Sequence, residues 1–248
     1  MGTNINSSFF EGSYQHAWRS LIPPGLTEAE ADFITGEAQL DQSSMVMDLM
    51  CGYGRHALEL GKRGINVTAV DNLPAYTLEI EEQASRDSLP VTVIQANVLS
   101  LKLDRVYDAF ICMGNSFAFF DRQETSGILH KISTHLKEGG VFIINSWMIA
   151  EIAIRHFREK EWYYAGEYKC LLDYKFCFNP SRIESEQTII GPDGKIEILN
   201  GVDYIFTLAE LEAIFQEAGM RTKAIYSTPR RRPFSLGDSR AYLVVEKL

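Results

Sequence analysis

The chain has 248 residues, 46% of them hydrophobic and 23% charged, which is enough apolar sequence for the core of a large globular domain. Its net charge of −9 argues against a nucleic-acid partner, because proteins that grip a phosphate backbone present a basic surface. Its apolar runs are too short to span a bilayer, so we expect no membrane partner.

The first predicted unit is an N-terminal helical cap over residues 1–40. A Pro-Pro-Gly turn at 23–25 divides this stretch into two predicted helices. Thr27 and Glu30 have the spacing of a capping box, so we expect Thr27 to cap the second helix.

Short apolar runs alternate with helical patterns between residues 41 and 150. The runs have the length of strands that are covered on both faces. Repeated strand–helix units predict an α/β fold with a parallel, doubly wound sheet. The predicted strands are 45–49, 65–70, 91–96, 107–113 and 141–145, and the predicted helices are 56–63, 75–86 and 122–136, with Gly64 and Gly139 as C-terminal stops.

The pattern changes after Trp147, where a predicted helix over 150–157 leads into alternating apolar and polar residues. This alternation indicates half-buried strands separated by Pro and Gly turns. We expect a three-stranded antiparallel insertion within 151–206, with strands over 168–178, 182–190 and 195–206.

The chain then returns to the core. Thr207 and Glu210 form a second capping-box pattern before a predicted helix over 208–218, and two predicted strands follow at 222–227 and 241–246. The core domain is therefore expected to comprise 41–150 and 207–248.

The stretch between the first two strands is the most informative. Gly52 and Gly54 remove side chains where the backbone must turn and a ligand must approach. Asp71 ends the second strand about twenty residues later, where a carboxylate can accept hydrogen bonds from ribose hydroxyls. This order predicts a nucleotide-type cofactor pocket at the carboxyl end of the sheet.

Asp48 separates the candidate cofactors. It lies on the first strand just before the turn, where a negative charge disfavours the pyrophosphate of NAD and favours a cation. S-adenosylmethionine carries both a sulfonium and an ammonium. An NAD-dependent oxidoreductase is one rival interpretation, and a non-catalytic protein that binds the same cofactor is another.

The segment 48–54 resembles the glycine motif of the class I S-adenosylmethionine-dependent methyltransferases, although Met50 replaces the first glycine. Three further segments match in the expected order: 95–99, 110–117 and 137–141. The Gly-Asn-Ser-Phe run within 110–117 resembles small-molecule enzymes of the glycine N-methyltransferase type. The resemblance covers most of residues 14–248.

This resemblance implies a fold and an activity. The fold is a Rossmann-like, seven-stranded, mostly parallel sheet whose last strand is antiparallel, with an insertion that covers the substrate. The activity is in-line transfer of a methyl group from S-adenosyl-L-methionine to N, O or S of a small-molecule acceptor, which leaves S-adenosyl-L-homocysteine.

The resemblance also implies the cofactor-binding residues. Asn97 is expected to bond the adenine amino group, and the Val98 N–H to face a ring nitrogen. Met113 and Asn115 are expected beside the methyl-bearing end. The full predicted set is Tyr14, Trp18, Asp48, Cys51, Gly52, Tyr53, Gly54, Arg55, Asp71, Asn72, Asn97, Val98, Met113 and Asn115.

Several roles stay open at this level. Arg55 either meets the carboxylate of the methionine part or is a surface charge. Tyr14 and Trp18, four residues apart, either close over the cofactor or pack within the N-terminal helix. Asn115 and Tyr14 are the candidates nearest the methyl group, and no general base is identified. His56 is interpreted as a packed histidine.

Four cysteines have no paired spacing: Cys51, Cys112, Cys170 and Cys177. This pattern predicts neither a metal site nor a disulfide framework. With no signal-peptide pattern at the N-terminus, it predicts a reduced, cytoplasmic protein.

Overall fold

A seven-stranded sheet forms the centre of the computed structural model, which describes residues 4–248. Its strands are β1 (Met45–Leu49), β2 (Asn66–Asp71), β3 (Val91–Gln95), β4 (Tyr107–Cys112), β5 (Leu136–Ser146), β10 (Met220–Tyr226) and β11 (Ala241–Lys247). They lie in the order β10-β11-β5-β4-β1-β2-β3. Strands β1 to β5 pair in parallel, and β11 is antiparallel to both of its neighbours. The predicted doubly wound, mostly parallel sheet is confirmed.

Helices cover both faces of this sheet. They are α1 (Ser13–Ser20), α2 (Leu26–Glu37), α3 (Arg55–Lys62), α4 (Pro74–Arg86), α5 (Arg122–His135), α6 (Ala150–His156) and α7 (Leu208–Glu217). Phe110 of β4 packs with α5 and α7 on one face, whereas the next residue, Ile111, packs with α2, α3 and α4 on the other. This alternation is the period-two geometry of a strand buried on both sides.

The predicted helices between residues 56 and 218 are all present, each within one residue of its predicted ends. The N-terminal cap predicted for α2 is wrong. Gly25, in the left-handed conformation with φ of 77°, precedes the helix, and Thr27 lies inside its first turn. Glycine adopts this backbone conformation at no steric cost, so the turn at 23–25 fixes where the helix begins.

The predicted stop of α5 at Gly139 is also wrong. The helix ends at His135, and Leu136 passes straight into an extended conformation, so β5 begins five residues earlier than predicted. Gly140 lies in this added stretch, where a Cβ atom would come within 2.8 Å of the Asp108 carbonyl oxygen. Close backbone approach to β4 therefore explains a glycine there.

The insertion forms a second, antiparallel sheet with four strands, not the three predicted. The strands are β6 (Lys160–Ala165), β7 (Tyr168–Phe178), β8 (Ser181–Ile190) and β9 (Ile196–Tyr204), in that order across the sheet. The missed strand, β6, lies at an edge and buries only Ala165, so its sequence carries no alternating apolar signal. It is held by backbone pairing with β7.

The N-terminal segment is hydrogen-bonded to the insertion sheet. The Asn6 side chain accepts a hydrogen bond from the Val202 N–H at 2.9 Å and donates one to the Val202 carbonyl at 2.8 Å. Residues 1–3 of the predicted cap lie outside the described range, and the division into cap, core and insertion stays a prediction. Among the helices of residues 4–248, none is long and apolar enough to cross a membrane.

Candidate functional site

A cleft opens at the carboxyl ends of the parallel strands. Its floor comes from the loops after four strands: 50–53 after β1, 71–73 after β2, 96–98 after β3 and 113–114 after β4. Residues of the N-terminal segment, including Phe10, Tyr14 and Trp18, line the opposite side. This is the crevice in which doubly wound sheets bind their ligands.

The two glycines of the turn are required for different physical reasons. At Gly52, with φ of 57°, an added Cβ atom would meet nothing within 4 Å, and the residue lines the cleft. At Gly54, with φ of 75°, a Cβ atom would lie 2.6 Å from Cγ1 of Ile80 in α4. Gly52 therefore leaves space for a ligand, whereas Gly54 allows α3 and α4 to approach each other.

Met50 occupies the position of the missing first glycine. Its φ is 54°, in the left-handed region that side chains rarely adopt. Met50 lines the cleft and packs against the larger core cluster. Met50 thus keeps the backbone conformation that a glycine would adopt at this position, at a cost of roughly 1–2 kcal/mol.

Asp71 links the glycine turn to the second strand. Its Oδ2 accepts the Gly52 N–H at 2.9 Å, and its Oδ1 accepts the Leu73 N–H at 3.0 Å. Burial raises the pKa of this carboxyl, and the backbone hydrogen bonds oppose that rise. A carboxylate has about four lone-pair sites, so Asp71 can still accept a hydroxyl in the cleft.

Asp48 lies under the turn and does not line the cleft. It is 1% exposed, and its Oδ2 has no hydrogen-bond partner within residues 4–248. Burial raises its pKa to about 8, while the nearby positive charge of Arg55 opposes that rise. At neutral pH the Asp48 side chain is therefore mainly the uncharged acid, and a cation bound nearby would favour its ionised form.

Arg55 belongs to a buried polar network rather than to the surface. Its Nη1 lies 2.6 Å from Glu30 Oε2, and Glu30 also bonds His56 Nε2 at 2.9 Å and the Tyr242 hydroxyl at 2.7 Å. Burial would raise the pKa of Glu30, but these partners lower it to about 2, so Glu30 is ionised. Burial lowers the pKa of His56, which is therefore a neutral, packed histidine. Arg55 and His56 both reach the cleft wall.

The residues predicted to bind adenine lie in the exposed loop after β3. Asn97 and Val98 both line the cleft. The Asn97 Oδ1 already accepts the Leu99 N–H at 2.9 Å, which leaves one of its lone pairs for a ligand. The adenine contacts of Asn97 and Val98 stay predictions.

Asn115 is the predicted residue whose surroundings differ most from expectation. It has φ of 73° and is buried, and its side chain does not line the cleft, although Met113, Gly114 and Ser116 do. Its Oδ1 accepts hydrogen bonds from Ser146 Oγ and from the Trp147 and Met148 N–H groups at 2.8, 3.1 and 3.2 Å. Its Nδ2 donates to Asp203 at 3.1 Å.

The aromatic residues of α1 both line the cleft and pack together. Tyr14 and Trp18 stack with ring centroids 6.3 Å apart and planes 9° apart. Arg19 lies over the Tyr53 ring at 4.3 Å and pairs with both carboxylate oxygens of Glu79 in α4 at 2.5 and 2.8 Å. Tyr14 and Trp18 therefore line the cleft and also pack within the N-terminal helix, so these two alternatives are compatible.

Most of the predicted residues converge on one cleft. Those lining it are Tyr14, Trp18, Cys51, Gly52, Tyr53, Arg55, Asp71, Asn72, Asn97, Val98 and Met113, whereas Gly54, Asp48 and Asn115 lie behind its wall. Three residues in or next to the cleft were not predicted from the sequence: Asn6, Tyr76 and Asp203. Alternation along β9 assigns Asp203 to the face of the buried Ile205, and a charged residue at an inward position is a signal that could have identified it.

Residues 46–140 match the family model described as "Methyltransferase domain". The chain is 24% identical to the glycine/sarcosine N-methyltransferase of Aphanothece halophytica over 66% of this chain and 63% of that protein. It is 28% identical to the ubiquinone biosynthesis O-methyltransferase of Rickettsia prowazekii over 67% of this chain and 64% of that protein. The chain thus spans less than two thirds of the length of these relatives.

The fold has a counterpart among solved structures. The CcbJ methyltransferase from Streptomyces caelestis superposes with a TM-score of 0.84 at 17% identity, over 100% of this chain and 99% of that one. Both sheets are included in an alignment of this extent, so the four-stranded insertion belongs to the shared architecture.

Proposed function

We propose that this chain, which belongs to the class I S-adenosylmethionine-dependent methyltransferases, transfers a methyl group from S-adenosyl-L-methionine to a small-molecule acceptor. The observation that carries the proposal is the cleft edge, where the Asp71 carboxylate accepts the Gly52 N–H and can accept a further hydroxyl beside the open space over that glycine. A ribose fits the first feature, and a close backbone approach fits the second.

The charges around the turn support this cofactor over NAD. Asp48 contributes a buried carboxyl group with an unpartnered oxygen, and its ionised form would be stabilised by the ammonium or sulfonium of the cofactor and opposed by a pyrophosphate. Arg55, already paired with Glu30 and reaching the cleft wall, is available to a carboxylate. The cofactor would supply a methyl group on a positively charged sulfur, which is an activated leaving group.

The chain itself would bind, align and exclude water. Asp71, Asn97 and the 50–53 backbone would hold the nucleoside and methionine parts, and Tyr14 and Trp18 would cover them. Aromatic faces attract a sulfonium by about 0.5–2 kcal/mol. Alignment of two bound reactants lowers a barrier by roughly 7–11 kcal/mol, so catalysis does not require an acid–base pair.

The proposed acceptor is small because residues of the N-terminal segment, which is hydrogen-bonded to the insertion sheet, line the cleft opposite the strand ends. The net charge of −9 argues against a nucleic-acid substrate. We further propose a cytoplasmic location, which is supported by four free cysteines that suit a reducing compartment.

Titration calorimetry tests the cofactor assignment. We expect micromolar binding of S-adenosylmethionine and S-adenosylhomocysteine, and no binding of NAD or NADH. Binding of NADH alone would overturn the proposal. Methyl transfer from radiolabelled cofactor to any small acceptor would reject the non-catalytic alternative, and cofactor binding without transfer to any acceptor would favour it.

A further inference from the structure

Asp203 is an acidic residue on the inner face of the insertion sheet. It lies in β9 opposite the buried Ile183 of β8, and paired residues of antiparallel strands point to the same face. The adjacent Val202 backbone is bonded to Asn6, which lines the cleft. Its strand is therefore fixed to the segment that encloses the cleft.

The Asp203 carboxylate has few partners for its position. Within residues 4–248 it accepts one hydrogen bond, from the neutral Asn115 amide at 3.1 Å, and no lysine, arginine or histidine forms an ion pair with it. Part of the side chain reaches solvent, but protein atoms surround it, and this burial raises its pKa to about 7. A desolvated carboxylate without a counter-ion is costly to the fold, and such groups are often kept for a ligand.

Asn115 connects this carboxylate to the cleft. Its Oδ1 is fixed by three donors, so its Nδ2 is directed at Asp203. Its neighbours Gly114 and Ser116 line the cleft. The carboxylate therefore lies directly behind the loop that follows β4, on the side of the insertion sheet.

Tyrosine side chains lie near Asp203. Tyr14 of α1, which lines the cleft, and Tyr174 of β7 both lie near enough for the Asp203 charge to contribute to their raised pKa, after the larger effect of burial. Tyr14 also packs in one cluster with Tyr163 of β6. Hydroxyl groups and ring faces around one carboxylate make a site that is suited to a compact cation.

We propose that Asp203 is the acceptor-binding carboxylate of this chain, and that the acceptor is a small amine whose ammonium form it binds and whose proton it accepts. This inference rests on the proposed methyltransferase function. In the proton transfer an N–H bond of the ammonium breaks, its electron pair stays on nitrogen, and the proton passes to a carboxylate oxygen. The ammonium becomes a neutral amine with the lone pair that methylation requires, and the carboxylate becomes a carboxylic acid.

The raised pKa of Asp203 supports this role, because it narrows the gap to the pKa of an amine and so lowers the cost of the proton transfer. Asn115 is a positioning residue in this scheme. It directs one amide hydrogen at the carboxylate and leaves the second carboxylate oxygen to the ligand.

The test compares matched amines and alcohols on the protein saturated with S-adenosylhomocysteine. Benzylamine, cyclohexylamine and 2-phenylethylamine are titrated by calorimetry at pH 8 against benzyl alcohol, cyclohexanol and 2-phenylethanol. We expect at least one amine to bind the native chain at least tenfold more tightly than its alcohol, and D203N to abolish that preference. Asp173→Asn, an exposed aspartate of β7 in the same insertion sheet, is the matched control and should retain it.

Two results would overturn the inference: no amine binds the native chain more tightly than its alcohol, or D203N keeps the preference. If D203N does not fold, Asp203→Ser, which still offers an oxygen to Asn115, takes its place. If the native chain does not bind S-adenosylhomocysteine, that result would instead refute the proposed function. Intact binding of that product without an amine preference would refute only the role of Asp203.

Discussion

The two sides of the cleft are built in different ways. The cofactor side uses backbone turns and carboxylates that lie between residues 48 and 98, each at the end of a parallel strand. The insertion side, which comprises the N-terminal segment and the residues behind the cleft wall, uses side chains from distant segments, such as Asn6, Asn115 and Asp203, that hydrogen bonds bring together. A site of the first kind leaves a motif in the sequence, whereas a site of the second kind does not.

The glycine turn offers the sharpest contrast within the cofactor side. We expect Gly54→Ala to lower the free energy of unfolding by about 3 kcal/mol, because the new Cβ meets Ile80 and the backbone has a positive φ. Urea denaturation measures the change. Gly127→Ala, whose Cβ enters open space in a helix, is the control and should not destabilise the chain. Equal stability of the two variants would contradict the packing role of Gly54.

Gly52→Ala should behave in the opposite way. Its methyl group meets no protein atom but extends toward the cleft, so we expect a stability loss of only about 1 kcal/mol. The affinity for S-adenosylhomocysteine should fall at least tenfold in calorimetry. Unchanged affinity would mean that the ligand does not approach this turn.

Asp71 tests the other half of the cofactor side. Asp71→Asn retains the size of the side chain but removes one carboxylate oxygen that could accept a hydroxyl, so we expect at least a tenfold loss of S-adenosylhomocysteine affinity. Asp87→Asn, at the end of α4 and away from the cleft, is the control. The ribose assignment would be wrong if both variants bound the ligand as tightly as the native chain.

On the insertion side, Asp203 predicts that the stability of the chain depends on pH. The pKa of Asp203 is raised from 3.8 to about 7 in the folded chain, so its ionisation opposes folding. As pH rises through this window, the native chain should lose stability relative to D203N, with no difference below about pH 4 and the full difference above about pH 7. Tyr14 and Tyr174 beside it have raised pKa values and stay neutral there.

Thermal unfolding of native protein and D203N from pH 4 to 8 measures this difference. Asp173→Asn serves again as the control, because its side chain is exposed and pairs with Lys160 at the surface. A constant difference between native protein and D203N across the range would contradict the raised pKa.

The smallest expected effect concerns the contact between α1 and α4. Arg19→Gln removes the ion pair with Glu79, which is partly exposed and so worth less than about 1 kcal/mol in stability. We expect S-adenosylhomocysteine to dissociate about two- to fivefold faster, measured by stopped-flow tryptophan fluorescence, to which Trp18 in the cleft contributes. Arg86→Gln on the exposed end of α4 should leave the rate unchanged.

Local sequence patterns were sufficient for most of the fold and for most of the residues that meet at the cleft. The buried strands, the core helices and the capping box at Thr207 were correctly identified, because each depends on residues that are close in the sequence. The glycines and Asp71 were identified for the same reason, since strand ends bring them together in any parallel sheet. The edge strand β6 was missed because backbone pairing holds it without an apolar pattern.

By itself, the sequence determined the parallel sheet, the order of its strands along the chain and the carboxylates at their ends, because these follow from short-range periodicity. Only the tertiary structure decided that Asn115 turns away from the cleft toward Asp203, that Arg55 joins a buried network, and that the N-terminal segment reaches β9. These contacts join residues from 25 to 196 positions apart. Hydrogen bonds and packing at such separations depend on how whole elements meet, which no local pattern encodes.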